Sequence, residues 1–332
     1  MKRCKTGDLS CKDCFTRNFE EEIHEYIQKN RLFEKGSRVG VCISGGKDSS
    51  VLLHVMYTLN RRKEYGLDLE LIAIDEGIIG YRDDSLEVVK FQQKHYNLPL
   101  TVLSFRDLYG TSMDDIQGVS NRSNSCTYCG VFRRKALDIG SDKVKADIIC
   151  TGHNCDDACE TVLLNLLRGD YNRFKRCTSP TTKNKITESD EKIETQIGDD
   201  HVAFDIKPRV KPLMYSPEKE IVLYAHYLGL KYFSTECKYS VDAYRGVTRE
   251  FIRRLQNFDY KYSFNLLLAA EELNLSSSHT NPNYVAKRCK VCGYISSSDI
   301  CNGCNLIAAL KNNDPGIILK NQRQKKKIVI EQ

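Results

Sequence analysis

The sequence predicts an α/β protein built on a doubly wound parallel sheet, with small zinc-ribbon segments at the ends. Three observations carry this. Short apolar runs alternate with stretches of helical periodicity between Arg38 and Leu167, the pattern of strands joined by helical crossovers. Two polar motifs, Ser44–Ser49 (SGGKDS) and Gly152–Asp157 (GHNCDD), directly follow two of those runs, where parallel sheets hold their ligands. Cysteines fall in C-x-x-C pairs at both ends: Cys11 with Cys14, Cys289 with Cys292, and Cys301 with Cys304.

Taken in order, Asn18–Asn30 has helical spacing, and Arg38–Ile43 (RVGVCI) reads as a buried strand. Val51, Leu52, Val55, Met56 and Leu59 then mark a helical face that ends before Gly66. Leu69–Ile74 is the second strand, Asp84–Tyr96 a helix with Leu86, Val89 and Tyr96 inward, and Pro99–Phe105 the third strand. Ala146–Thr151 is the fourth, followed by a helix bearing Val162, Leu163, Leu166 and Leu167. Thr178–Asp205 is polar and poor in large apolar residues, the composition of a mobile surface insertion. Order is expected again at Lys207–Leu213. Ser216 and Pro217 then open a helix over Glu218–Leu228, with Ser216 as its cap. A further helix is predicted over Val241–Phe258, with Tyr244, Thr248, Phe251 and Leu255 on its inner face. A serine-rich linker, Leu275–His279, precedes the last cysteines, and the tail carries Arg323 and Lys325–Lys327. The expected organisation is a degenerate or truncated N-terminal ribbon and helix over 1–30, a catalytic domain over 31–260 with an insertion at 178–205, a zinc ribbon over 285–310 and a basic tail over 311–332.

At 41% hydrophobic and 28% charged residues, the 332-residue chain has the composition of a globular protein of about two domains, neither collagen-like nor wholly disordered. A net charge of +6 permits a nucleic-acid partner without requiring one. No apolar run approaches the ~20 residues of a membrane span. The start, Met1–Lys5, has no apolar leader, so the expectation is a cytoplasmic protein with no membrane partner. Fifteen cysteines in a reducing compartment read as metal ligands, catalytic groups or core residues, not as a disulfide framework.

In Ser44–Ser49, successive glycines between a strand and a helix let backbone N–H groups close around an anion. Lys47 adds positive charge, and Asp48 suits a magnesium ion on a pyrophosphate leaving group. The loop is not a Walker loop, because Val41 stands where that motif needs glycine. An ordinary glycine turn is the plain alternative. His153 suits either a structural hydrogen bond or a nucleotide contact. Asp156 and Asp157 suit helix capping or a carboxylate facing the loop. Cys42, Cys150, Cys155 and Cys159 read most simply as core residues. Arg249, Arg253 and Arg254 suit phosphate contacts or a solvated face.

Cys126 and Cys129 form a pair whose next cysteine of interest, Cys237, comes 108 residues later. Three thiolates are one short of a closed tetrahedral zinc site and suit an iron–sulfur cluster with one iron left open. Zinc and a catalytic disulfide remain alternatives. Cys289, Cys292, Cys301 and Cys304 form a C-x2-C-x8-C-x2-C knuckle, which reads as structural zinc. Near the start, Cys11 and Cys14 have only Cys4 before them, so a complete N-terminal zinc site lacks its first pair.

The SGGKDS loop resembles that of the PP-loop ATP pyrophosphatase superfamily, of adenine nucleotide α-hydrolase-like fold. The chain further resembles the cytosolic tRNA wobble-uridine 2-thiolation family of thiouridine synthetases. The residues that carry this are Ile74–Glu87, Ser125–Arg134, Thr151–Asp157, Glu160–Asp170, EKEIVLYAHY and YFSTEC. The resemblance runs from about Cys11 to Leu310. It implies ATP bound by Ile43, Ser44, Gly45, Gly46, Lys47, Asp48, Ser49, Ile74, Gly152 and Asp157, and catalytic roles for Lys47, Arg133 and Asp157. Arg133 stands where relatives often have lysine, which keeps the charge but loses a titratable amine. The resemblance further implies an iron–sulfur cluster on Cys126, Cys129 and Cys237, although a disulfide-and-persulfide route with the same cysteines stays open. Its implied partners are tRNA, a ubiquitin-related modifier whose thiocarboxylate supplies sulfur, and a paralogous thiolation subunit. The expected activity is ATP-dependent 2-thiolation of the wobble uridine in tRNAs of the Lys, Glu and Gln type. Cytidine 2-thiolation, a lysidine-synthetase kind of amidotransferase and a non-catalytic zinc-ribbon RNA-binding scaffold are the alternatives.

Overall fold

In the computed structural model, residues 1–119, 125–182, 206–235, 237–239, 245–276 and 287–312 are described. In chain order the first elements are α1 (Lys12–Lys29), β1 (Arg38–Ile43), α2 (Lys47–Arg62), β2 (Asp68–Asp75), α3 (Arg82–Tyr96) and β3 (Leu100–Ser104). They continue with α4 (Phe105–Tyr109), α5 (Met113–Val119), α6 (Ser125–Lys143), β4 (Ile148–Cys150), α7 (Cys155–Leu167), α8 (Tyr171–Cys177), β5 (Thr181–Thr182) and β6 (Arg209–Val210). The last are α9 (Glu218–Leu228), α10 (Arg245–Phe258), α11 (Lys261–Ser276), β7 (Lys287–Arg288), β8 (Ile295–Ser296) and α12 (Asn302–Lys311).

The main sheet has the order β3-β2-β1-β4-β6-β5. β1 lies between β2 and β4 and is parallel to both, from Arg38↔Asp68 to Ile43↔Ala73 on one side and from Val39↔Ile148 to Val41↔Cys150 on the other. Successive strands step outward from β1 to β3, and the chain then returns to the far side of β1 as β4. The carboxyl ends of β1 and β4 therefore form the switch point at which such sheets open a crevice.

One face of the sheet is covered by α1, α2 and α9, where Phe15, Phe19, Leu52, Met56, Leu59 and Tyr224 are buried in one core with Val39 and Val41. On the other face Ile72, Leu103, Val144 and Ile149 form a second layer. α7, α10 and α11 share a third core through Cys159, Val162, Ile252 and Leu267. α4, α5, α6 and α12 meet in a fourth through Phe105, Ile116, Phe132 and Leu306.

β1 and the extent of α9 match the sequence reading, and the other expected strands differ from it at their ends. β4 is shorter than Ala146–Thr151, and α1 begins earlier because Cys11 caps it, its sulfur accepting from the Cys14 N–H. Ser216 does not cap α9. Pro217 occupies that position without a side-chain bond, and the Ser216 carbonyl instead accepts from Cys155 N–H at 3.0 Å. Of the residues expected on the inner face of α10, Thr248 is buried, Leu255 half-buried and Phe251 51% exposed, while Tyr244 lies outside the described residues. Ile252 is buried beside Thr248, and Arg245 and Arg249 turn toward α7. Thr181 and Thr182, assigned to a structureless insertion, pair antiparallel with β6. The rest of that segment, 183–205, lies outside the described residues. The serine-rich linker begins inside α11, and its remainder, like the basic tail after 312, also lies outside them. Among the described residues no helix is long and apolar enough to cross a membrane.

Candidate active site and thiol clusters

The glycine turn leaves β1 at Ser44. Gly45 has φ +74°, and a Cβ there would sit 2.6 Å from the Ser85 carbonyl oxygen, so both backbone and space require glycine. Ser49 Oγ accepts from Ser44 N–H at 3.1 Å and donates to the Gly46 carbonyl at 2.9 Å, which locks the turn from within. Gly46 caps α2 with no side-chain bond, so the amides of the first turn face the crevice without a competing side chain. Lys47 Nζ lies 2.6 Å from Glu218 Oε1 and 3.3 Å from Asp48 Oδ2. Burial works against the Lys47 charge, but the two carboxylates outweigh it and raise its pKa. Burial pushes the Asp48 carboxyl above its ordinary value, against Lys47 and an Asn154 amide that donates to Asp48 Oδ1 at 3.1 Å.

The second motif closes on the first. A Cβ at Gly152 would meet the Asp48 carbonyl carbon at 3.0 Å, so the two loops are in backbone contact. Asn154 and Asp157 form a reciprocal capping box at the start of α7. Asp157 Oδ1 also receives Arg245 Nη2 at 2.6 Å, so the carboxylate both caps and carries an ion pair. His153 Nδ1 is 2.8 Å from Thr151 Oγ1, and burial lowers its pKa, which favours the neutral ring. Asp156 serves the scaffold: its carboxylate accepts from Glu218 N–H at 2.8 Å and from Gln256 Nε2 at 2.7 Å. Ile43 ends β1 and Ile74 is the last residue but one of the neighbouring parallel strand β2, so their main chain borders the same crevice.

Cys126 and Cys129 occupy the first turn of α6, and Cys126 Sγ donates to the Tyr239 carbonyl at 3.6 Å. Cys129, Cys237 and Tyr239 all pack against the core that contains Tyr128 and Phe132. Arg133, one turn on, reaches Cys129 Sγ at 3.4 Å and Glu76 Oε1 at 2.7 Å. Glu76 holds that guanidinium firmly charged, while burial pushes the Cys129 thiol up to about 11. The thiols are tied to the glycine turn by a short stretch of chain. Phe233 N–H donates to the Gly45 carbonyl at 2.7 Å, and Phe233 stacks edge-on against Tyr81 at 5.1 Å. Cys237 follows only four residues later, a reach of at most about 14 Å.

Cys289, Cys292, Cys301 and Cys304 bring their sulfurs within 4.8 Å of one another, with Cys292 and Cys301 3.6 Å apart. A tetrahedral ion with metal–sulfur bonds of about 2.3 Å needs sulfurs roughly 3.8 Å apart, so the donor set fits zinc. Among the described residues no other group of three or more cysteines, histidines or carboxylates draws together so tightly. Cys126, Cys129 and Cys237 do not draw together to that tightness. Cys11 and Cys14 are exposed at the start of α1. Cys4, which burial raises to about 11, turns instead toward the core of α7 and α11.

A family profile described as a PP-loop domain matches residues 15–256, and one described as a zinc-ribbon matches residues 287–317. The chain is 47% identical to cytoplasmic tRNA 2-thiolation protein 1 of Drosophila grimshawi over 332 residues, all of this chain and 91% of that one. It is 46% identical to the protein of the same name from Drosophila melanogaster over the same shares. The chain belongs to the cytoplasmic tRNA 2-thiolation protein family. Its fold is similar to that of the U34-tRNA thiolase NcsA from Methanococcus maripaludis, solved with its [4Fe-4S] cluster. The TM-score is 0.74 and the identity 26%, over 92% of this chain and 91% of that one.

In this member of the 2-thiolation family, the sequence reading passed over four side chains that the fold brings to the crevice. Glu218 reaches Lys47, Asn154 reaches Asp48, Glu76 reaches Arg133, and Arg245 reaches Asp157. Asn154 and Glu76 carried a signal, since each directly follows a strand or its motif. Glu218 and Arg245 lie at helix starts far along the chain and carried none.

Proposed function

We propose that the chain is an ATP-dependent tRNA sulfurtransferase that exchanges the C2 oxygen of the wobble uridine for sulfur. The observation that carries this reading is the four-residue link from Phe233, bonded to Gly45, to Cys237, which supports a crevice shared by nucleotide loop and thiols. Family membership and the likeness to a U34-tRNA thiolase support the substrate.

The glycine turn and the first amides of α2 hold the ATP phosphates, with Ser44, Gly45, Gly46, Lys47 and Ser49 around them and Asp48 suited to magnesium. Main chain at Ile43, Ile74 and Gly152 flanks the adenine side. The uridine O2 attacks the α-phosphorus, the bond to the β-phosphate oxygen breaks, and pyrophosphate leaves. Lys47 and Arg133 stabilise the charge that develops. Sulfur then attacks C2, and AMP departs with the original oxygen; adenylation is needed because oxide is no leaving group. Cys126, Cys129 and Cys237 would hold an iron–sulfur cluster, which when bound would supply a site for sulfur. Asp157, paired with Arg245, fixes the α7 side of the crevice. The base must leave its stack, which anticodon-loop nucleotides allow at small cost.

Cytoplasmic tRNAs of the Lys, Glu and Gln type are the substrates in this reading. A ubiquitin-related modifier bearing a thiocarboxylate supplies the sulfur, and a paralogous subunit helps bind tRNA. Zinc belongs to Cys289, Cys292, Cys301 and Cys304, and residues 31–260 form the catalytic domain.

Mass-spectrometric nucleoside analysis of tRNA from cells with and without the protein tests the reading. Loss of 2-thiouridine on removal, restored by the wild type but not by Lys47→Ala, is the expected result. Unchanged 2-thiouridine overturns it and leaves a non-catalytic RNA-binding role.

A further inference from the structure

Helix α6 holds both sulfur groups. Its first turn bears Cys126 and Cys129, and its later turns bear Lys135 and Asp138, the residues that receive the C-terminal ribbon. Lys135 is 7% exposed, and its Nζ donates to Cys292 Sγ at 3.2 Å. The same ammonium lies 5.9 Å from the ring centres of Tyr109 on α4 and Tyr294 of the ribbon. Asp138 is fully buried and accepts from the Tyr294 hydroxyl at 2.8 Å and from Arg209 at 2.6 Å. Leu306 of α12 completes the contact by packing into the core that contains Tyr128 and Phe132.

These ties depend on a metal in the ribbon. β7 and β8 have two residues each, too little to hold a core without a crosslink. A buried ammonium is tolerated only opposite negative charge, and four thiolates around one divalent ion carry a net charge of −2. Loss of the ion therefore removes the crosslink that holds the ribbon, and with it the fixed sulfur that Lys135 meets. Six residues of rigid helix, about 9 Å, separate Lys135 from Cys129.

We propose that the metal-loaded ribbon is a brace for helix α6, with Lys135 and Asp138 as its ties, so that the metal state of the ribbon sets the position of Cys126 and Cys129. Lys135 is thus a positioning residue. The brace itself stands on the contacts above; only its consequence for iron rests on the cluster reading of the preceding section.

Hydrogen exchange of the full chain tests it, comparing zinc-loaded protein, protein stripped by a zinc chelator, Lys135→Met and Tyr294→Phe. Amides of 125–133 are expected to exchange at least about ten-fold faster after zinc loss and in Lys135→Met, and less so in Tyr294→Phe, with β1 and α2 unchanged. Iron and visible absorbance after anaerobic reconstitution are expected to fall several-fold in parallel. Should Lys135→Met fail to fold, the stripped protein and Tyr294→Phe carry the same comparison. Unchanged exchange over 125–133 in stripped protein overturns the brace, whatever iron the wild type binds. Faster exchange in a wild type that takes up no iron supports the brace and overturns the cluster reading instead.

Discussion

Gly152 stands against the backbone of Asp48, where a Cβ would lie 3.0 Å from the Asp48 carbonyl carbon and 3.1 Å from its oxygen. The loops that leave β1 and β4 are thus in direct contact at the switch point of the sheet. Neither loop can shift without the other, and the Asn154 amide reinforces the contact through Asp48 Oδ1.

Gly152→Ala therefore pushes on peptide atoms that have no rotamer to escape into. The expected outcome is a loss of about 1–3 kcal/mol of stability, as for an overpacked core. ATP-dependent activity should fall further than stability accounts for. Denaturant titration and single-turnover AMP release measure the two.

Lys47→Ala removes the cation between Asp48 and Glu218 and leaves two carboxylates facing each other. Activity is expected to fall by about 10²- to 10³-fold, the range for losing one charge-stabilising group. Because Lys47 is only partly buried, its melting temperature should shift little. AMP release and thermal denaturation on the same preparation check both.

Glu160 is 4% exposed in its side chain and is shared by Arg245 and Arg249, which anchor α10 to α7. Glu160→Ala leaves both guanidiniums without that partner. A destabilisation of about 1–3 kcal/mol is expected, less than for a fully buried pair because both guanidiniums stay partly open to water. Hydrogen exchange should locate the loss in α10, which denaturant titration alone does not resolve.

Burial lowers the pKa of His54, whose Nδ1 is 2.9 Å from the Tyr96 hydroxyl, and lowers those of His24 and His153 as well. For a histidine depressed in the folded state, the unfolded chain takes up the proton first as pH falls. Stability from these three groups is present above the ordinary histidine value of 6.5 and is lost as pH falls below it. Melting temperatures should be level above about pH 7 and decline below it, with a shallower decline in His54→Gln.

Much of this was legible in the sequence because the signals were local. The run RVGVCI followed by SGGKDS fixes strand, turn and helix within a dozen residues, and β1 spans the expected residues. The four-cysteine knuckle has its spacing written in the chain, and its sulfurs do converge. α6 was not read because its polar and small residues give no clear apolar stripe: Lys135, Asp138 and Ser141 are all buried there. On α10 the expected inner face holds at Thr248 and fails at Phe251, for a similar reason. Arg249 lies beside α7 and binds the buried Glu160, so charge, not Phe251, marks the packed side. Contacts such as Lys47 with Glu218 span 171 positions, and no local pattern encodes them.

In the proposed reaction the oxygen lost from the wobble uridine leaves on AMP. An anaerobic single turnover with tRNA carrying 18O at C2 of that uridine, followed by mass spectrometry of the AMP, tests it most directly. One 18O-labelled AMP for each 2-thiouridine formed is the expected result. Unlabelled AMP alongside 2-thiouridine would contradict it.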